Sequence, residues 1–368
     1  MRRKHLTAPM FVLLLLCSCG AGTQKPQTRN GQSNTQDTAK APAAPTPSEQ
    51  APSDPNKFAI VIAGVGGEDV YHKRFTSQAQ RLYSVLTRKL GFADDNTALL
   101  TEIAEGDAHE GAPSEVTAGP ASKRSTADEV RKAFDSVKSR AKQDSVVFVF
   151  LIGHGSFDNQ AAKFNLVGPD LSAKDYAALL AALPARRIVF VNCSSSSGEF
   201  IKPLSAEGRI VLTATRSGSE QNVTAFADHF IEALTDPGAD ADKNGRISVL
   251  EAFNYASKQT ADWYKKKDRL ATEHALIDDN GDGAGHEEAI AGDGVIAKTT
   301  YIDSRLIGQA GGDAELAALL NKRQQLEEAV ERLKARKAEM KPDDYDAELE
   351  RLLIELAKTN QEIKSKQK

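Results

Sequence analysis

The chain has 368 residues, with 47 Lys and Arg against 51 Asp and Glu, for a formal net charge of -4. That balance gives no global attraction for nucleic acid, and three cysteines are too few for a disulfide framework. The length allows one sizeable core with room left for segments of other character.

Met1-Arg2-Arg3-Lys4 and the apolar run Phe11-Val12-Leu13-Leu14-Leu15-Leu16 read as an export signal. The run is shorter than the roughly 20 residues that a membrane-spanning helix needs. It ends in Leu16-Cys17-Ser18-Cys19-Gly20, which looks like a bacterial lipoprotein processing site, so residues 1–18 are expected to be removed and Cys19 lipidated. Residues 19–55 are rich in Gln, Thr, Ala, Pro and Ser and read as a flexible tether. This places the protein at the bacterial cell envelope, anchored in the membrane through Cys19. Gly20 gives no reason for inner-membrane retention, so the expected place is the outer membrane, facing the periplasm or the surface.

Phe58-Ala59-Ile60-Val61-Ile62-Ala63 is a strand-like run closed by Gly64, Gly66 and Gly67, and residues 78–90 follow with helical spacing. A strand is expected at Thr97 to Leu100, then about twenty polar, Gly- and Pro-containing residues that read as a loop. Ser125 and Thr126 before Asp128 and Glu129 predict a capped helix reaching about Ala141. The runs at 146–152, 187–192 and 209–214 are apolar at consecutive positions, as in parallel strands covered on both faces, with helices expected at 173–182 and 222–234. The fold class is therefore α/β, with a mostly parallel sheet over residues 56–310 and a site expected at the carboxyl ends of its strands.

Two chemistry-bearing segments leave consecutive predicted strands there, Gly153-His154-Gly155 and Asn192-Cys193-Ser194-Ser195-Ser196-Ser197-Gly198. A thiol or hydroxyl beside an imidazole is the minimum for acyl transfer, and backbone N–H groups among small residues can hold an oxyanion. Taken alone, Gly-His-Gly also describes an ordinary turn, and Cys193 a small buried side chain. If the chain stays extended after Asn192, Cys193 and Ser195 share a side with Cα atoms roughly 6 to 7 Å apart, so only one of them reaches His154.

On these motifs the chain resembles the legumain and caspase group of cysteine peptidases, most closely its bacterial legumain-like members. In that group the histidine follows the third strand as His-Gly and the nucleophile follows the fourth, commonly as Cys-x-Ser-Gly. His154-Gly155-Ser156 matches the first motif, and the resemblance extends over about 56 to 300, including Thr213 to Glu220, near which such enzymes build part of the substrate pocket. It implies a caspase/legumain-like sandwich. Aligning Ser197-Gly198 with the family's Ser-Gly puts Ser195, not a cysteine, at the nucleophile position. Cysteine attacks as a thiolate, whereas a serine hydroxyl needs an oriented base, so this exchange is expected to remove most activity. The expectation is a lipid-anchored peptidase-family protein whose catalysis is lost or altered and which binds a protein or peptide. The alternative is an active cysteine endopeptidase using His154 and Cys193.

The twelve residues from Asp240 to Glu251 fit an EF-hand calcium loop position by position. Asp240, Asp242 and Asn244 supply side-chain oxygens, Gly245 the turn, Arg246 a backbone carbonyl, Ser248 a hydroxyl and Glu251 the closing carboxylate. Bound Ca2+ is expected to be structural. Asp278, Asn280 and Asp282 begin a second such loop, but its twelfth position is Ala289, with Glu287 and Glu288 the nearby acids.

Residues 311–368 change character: Leu316, Leu319, Arg323, Leu326, Val330 and Leu333 recur at three- and four-residue steps, and Tyr345, Leu349, Leu352, Leu356, Thr359 and Ile363 resume after Pro342. This predicts a helical coiled-coil hairpin, while the same stripe also suits self-association or docking on a partner helix.

Overall fold

The apolar runs become β1 (Lys57–Ala63), β2 (Thr97–Thr101) and β4 (Val146–Ile152), with α1 (Asp69–Lys89), the two-residue β3 (Lys123–Arg124) and α2 (Ala127–Arg140) interspersed. Beyond β4 come β5 (Gly155–Phe157), β6 (Ala162–Phe164), β7 (Leu171–Ser172), α3 (Ala173–Ala181), β8 (Arg187–Asn192), α4 (Ile201–Leu204) and β9 (Arg209–Thr213). The domain closes with α5 (Phe226–Ala233), α6 (Val249–Lys266), β10 (Leu276–Asp278) and α7 (Val295–Thr299), and two longer helices follow, Ala314–Ala335 and Pro342–Lys366. This computed structural model describes residues 53–103, 121–290, 292–304, 310 and 312–367, which fall in the compact unit Glu49–Lys368. The expected export signal, Cys19, the tether to residue 52 and most of the polar loop before α2 lie outside the described residues. Among the described residues no helix is long and apolar enough to cross a membrane.

Seven strands form one sheet in the order β10-β9-β8-β4-β1-β2-β3. Every pairing is parallel except β9 with β10. The consecutive apolar residues are explained by burial on both sides. Val61, Phe150 and Val191 face α1, α5 and α6, while Ile60, Val149 and Phe190 face α2, α3 and α4. Fully burying one such side chain is worth about 1.5–3 kcal/mol relative to exposing it.

The predicted helices appear near their expected places, with one extension. The first begins at Asp69 rather than 78 because Tyr71 and Phe75 carry the apolar stripe of Ala79, Leu82 and Leu86 back by two turns. Thr126 caps α2 by accepting the Glu129 N–H at 3.3 Å, as its sequence implied. A small antiparallel sheet, β5-β6-β7, was not anticipated; its strands are too short to show alternation.

The two C-terminal helices pack against each other antiparallel: Leu316 and Leu320 lie with Ile363, and Leu326, Val330 and Leu333 with Tyr345 and Leu352. The stripe is thus satisfied within one chain. Its first helix is fastened to the α/β domain by charge. Glu328, nearly buried, receives Arg187 at the amino end of β8, Arg332 on its own helix, and Arg186 at 3.0 Å. Arg187 is itself only 2% exposed.

A buried ion pair broken on one side leaves an uncompensated charge, which costs about 3–5 kcal/mol. Glu328→Ala is therefore expected to lower unfolding free energy by about that amount, read as a lower midpoint in denaturant titration. Lys298→Ala, which removes the exposed pair with Glu331 at 2.9 Å, is expected to change it by about 1 kcal/mol or less.

Candidate functional site

In an open parallel sheet, a crevice forms where the connections from adjacent strands diverge. Here the chain runs outward from β1 to β2 and β3, then returns to β4 and runs outward through β8 and β9, so the divergence falls between β1 and β4. The loops after these two strands meet there: Gly64 N donates to the Ile152 carbonyl at 2.9 Å. Glu102, at the end of β2, accepts Gly66 N at 2.9 Å and lies 2.9 Å from His72 Nδ1, which holds the loop after β1 in place.

His154 stands at this point. Its imidazole is half-buried and meets the rings of Tyr71 and Phe75 edge-on, each with a centroid separation of 5.0 Å. Burial pushes its pKa below the ordinary histidine value, opposed by a hydrogen bond with the Gly66 backbone. The imidazole is thereby favoured in its neutral form, as a base requires. Among the described residues no carboxylate hydrogen-bonds to it, so the third group that orients the base of a serine triad has no counterpart here.

The loop after β8 separates the two candidate nucleophiles. Cys193 continues the alternation of Val189 and Val191, so its side chain enters the same core face and is 4% exposed. Burial raises its thiol pKa well above the usual range, which disfavours thiolate. Its backbone is pinned as well, with its N–H donating to Leu151 at 2.8 Å and its carbonyl accepting from the Thr224 hydroxyl.

Each of the next four serines is buried and tied to a different partner. Ser194 Oγ donates to Asn192 Oδ1 at 2.6 Å. Ser195 Oγ donates to the Gly155 carbonyl at 3.0 Å and accepts the Gly155 N–H at 3.1 Å. Ser196, at φ 54°, donates through Oγ to Gly218 at 3.0 Å. Ser197 Oγ accepts Ala214 N and Thr215 N, both at 3.1 Å. Ser195 is thus the candidate beside the His154–Gly155 segment, yet its proton goes to a carbonyl and not to the imidazole. The approach is close enough to require glycine: a Cβ on Gly155 would stand 2.3 Å from the Ser195 carbonyl oxygen.

Arg216 and Glu220 belong to the brace around this loop. Glu220 accepts Arg216 N at 2.9 Å and His274 N at 3.1 Å and pairs with His274 Nδ1, while its own carbonyl receives Ser196 N at 2.8 Å. Two contributors went unread in the sequence, Glu102 and Glu273. Glu273 is buried and accepts Ala225 N at 2.7 Å and Phe226 N at 3.1 Å at the start of α5. Neither sits in a motif, so only their contacts mark them.

The predicted calcium loop forms as a loop leading into α6. One oxygen from each of Asp240, Asp242 and Glu251 lies within 4.8 Å of the others, so this cluster could hold a metal ion. Asp240 accepts Asn244 N at 3.1 Å and Gly245 N at 2.7 Å, and Asn244 Oδ1 accepts Arg246 N at 2.8 Å. Glu251 reaches back to Ala241 N at 3.0 Å and Asp242 N at 3.3 Å, closing the ring. Ser248 caps α6 and donates to Glu251 Oε2 at 2.7 Å, so it orients the closing carboxylate. The Arg246 side chain turns to Asp303 at 3.2 Å and lies over the Tyr301 ring, leaving its role in the loop to its backbone.

Asp278, Asn280 and Asp282 lie on the hairpin turn that joins β10 to His286. Glu287 turns toward Arg216 at 3.5 Å and is half exposed.

The fold is that of an α/β protein with a mostly parallel seven-stranded sheet between helical layers, with the histidine loop at its switch point and the serine loop after β8 packed beside it. No protein-family model and no curated protein matches the chain. Among solved structures, protein GSU0716 from Geobacter sulfurreducens is similar over 61% of this chain and 92% of its own, at 12% identity and a TM-score of 0.39. That likeness is too slight to bear on fold or function.

The position of Cys193 has a direct consequence. In the native protein its thiol is expected to resist iodoacetamide and to react fully only after denaturation, as measured by mass spectrometry of the Cys193 peptide. Rapid labelling of the folded chain would show that the thiol is presented to solvent.

Proposed function

We propose that residues 56–310 form a legumain-like or caspase-like peptidase domain whose hydrolytic chemistry has been lost, and which acts by binding a protein or peptide at the cleft beside His154. The observation that carries this reading is the reciprocal pair of hydrogen bonds between Ser195 Oγ and the Gly155 backbone. A hydroxyl committed to both a carbonyl and an amide offers no proton to the imidazole, and the inward thiol of Cys193 offers no thiolate. The His-Gly motif and the strand order it follows support the family assignment. The Leu16-Cys17-Ser18-Cys19 segment supports lipid attachment at Cys19 and a place in the bacterial envelope, outer membrane included. The C-terminal hairpin, whose stripe is buried internally but whose Leu353 and Ile354 stay exposed, adds a second surface for a partner or for self-association.

The test is treatment of the purified full chain, with calcium, by diverse peptide substrates and a peptidyl acyloxymethyl ketone. Neither cleavage nor labelling is expected. Labelling that survives Ser195→Ala but is lost in Cys193→Ala and His154→Ala would overturn the proposal in favour of a cysteine endopeptidase. Peptide cleavage without labelling, lost in Ser195→Ala, would overturn it in favour of a serine hydrolase.

We infer further that the cluster Asp240, Asp242 and Glu251 takes calcium. Its donors are all oxygen, the loop has the spacing of an EF-hand, and it opens directly into a capped helix, which suits a structural ion. An ion present at about 100 times its Kd stabilises the fold by about 2.7 kcal/mol. Calcium is expected to raise the thermal midpoint, and Glu251→Gln to remove one equivalent of calcium in calorimetric titration. A titration unchanged by Glu251→Gln would exclude this loop.

A further inference from the structure

The hairpin from Asp278 to His286 repeats the backbone of the first acidic loop. At its fourth and sixth positions the first loop has left-handed residues, Lys243 at φ 58° and Gly245 at φ 78°, and the second has Gly281 at φ 81° and Gly283 at φ 79°. In the first, Asp242 Oδ1 accepts Asn244 N at 3.0 Å and Asn244 Oδ1 accepts Arg246 N at 2.8 Å. In the second, Asn280 Oδ1 accepts Asp282 N and Asp282 Oδ1 accepts Ala284 N, both at 2.8 Å.

The closing carboxylate comes from elsewhere. Where Glu251 Oε1 receives the N–H groups of the second and third loop residues, Asp293 Oδ1 receives the same two, Asp279 N at 2.8 Å and Asn280 N at 3.3 Å. Asp293 lies four residues beyond Ala289, the twelfth position, so fixed spacing could not have found it.

A separate observation points to a ligand. Asp278 is 1% exposed, and its carboxylate gives one oxygen, Oδ1, to the loop's own Gly281 N at 3.1 Å. The other, Oδ2, is buried without a hydrogen-bond partner, in a carboxylate close enough to Asp293 for the two charges to repel. Asp279 is buried beside them, its oxygens taken by Gly294 N at 2.8 Å and Ala297 N at 2.7 Å. Against these three buried acids the cluster sets one imidazole, His286, at 2.7 Å from Asp293 Oδ2. Buried carboxylates with an unmet oxygen and so little positive charge are stabilised by a bound cation.

We propose that Asp278, Asn280, Asp282 and Asp293 form a second divalent-cation site, with the Ala284 carbonyl in the place that Arg246 holds in the first loop. The donors are hard oxygens, which select calcium over zinc or copper. Among the described residues only Asp240, Asp242 and Glu251 bring three acidic oxygens within 4.8 Å of one another, so binding at the second loop requires its side chains to close inward. Its place explains its use. Gly283 N donates to Ser205 Oγ at 2.9 Å, and the hairpin continues β10, so an ion here fastens the antiparallel edge strand to the end of α4.

The proposal shares its ligand with the loop at 240–251 but not its residues, and one experiment separates the two. The full chain, stripped with chelator, is titrated with calcium chloride by calorimetry and native mass spectrometry, with circular dichroism as the folding control. Two equivalents are expected for the wild type. Asp293→Asn and Asp278→Asn are each expected to retain one, and Glu287→Gln/Glu288→Gln to retain two. One equivalent in the wild type, abolished by Glu251→Gln, overturns the second site and leaves the first intact. One equivalent abolished by Asp293→Asn but kept in Glu251→Gln overturns the first and supports the second. Loss of an ion on changing Glu287 and Glu288, with Asp293→Asn silent, overturns the assignment of Asp293.

Discussion

The carboxyl end of the sheet depends on four consecutive buried hydroxyls. Ser194 to Ser197 leave β8 and bond in turn to Asn192, to the Gly155 backbone, to Gly218 and to the start of the loop after β9. Each buried polar group there needs a partner, because leaving one unmet costs about 1–3 kcal/mol. Satisfying all four fixes three loops against one another. The hydroxyls thus hold the ends of β4, β8 and β9 in register, and the same commitment removes Ser195 from proton transfer with His154.

The two ends of the sheet carry different burdens. At the carboxyl ends, short contacts among glycine-rich loops surround a half-buried, aromatic-flanked imidazole. At the amino ends, charge holds the structure together. Arg187 at the start of β8 meets Glu328 of the C-terminal hairpin, and Lys57 at the start of β1 donates to the carbonyls of Tyr301, Ile302 and Asp303. Burial lowers the Lys57 pKa to about 8, opposed by the nearby negative charges of Asp54 and Asp303. The hairpin therefore braces the domain at the ends of the strands opposite His154.

Both acidic loops sit where an element must start or stop. The first feeds the capped start of α6, and the second turns the chain after the edge strand β10. A cation is well suited to such junctions, since it gathers oxygens that would otherwise repel and does so without a large core.

Much of this was written in the order of residues. Apolar runs at 58–63, 146–152, 187–192 and 209–214 dictated strands buried on both faces, and three- and four-residue spacing dictated the helices, because these periods are properties of the backbone itself. The loop at 240–251 was legible for the same reason: its donors lie on one continuous stretch. Tertiary structure alone decided the rest. Whether Cys193 or Ser195 lay beside Gly155 turned on a bend after β8 that period-two alternation does not encode. That Asp293 meets Asp279, and Glu328 meets Arg187, depended on chain segments brought together from far apart, which local spacing has no means to record.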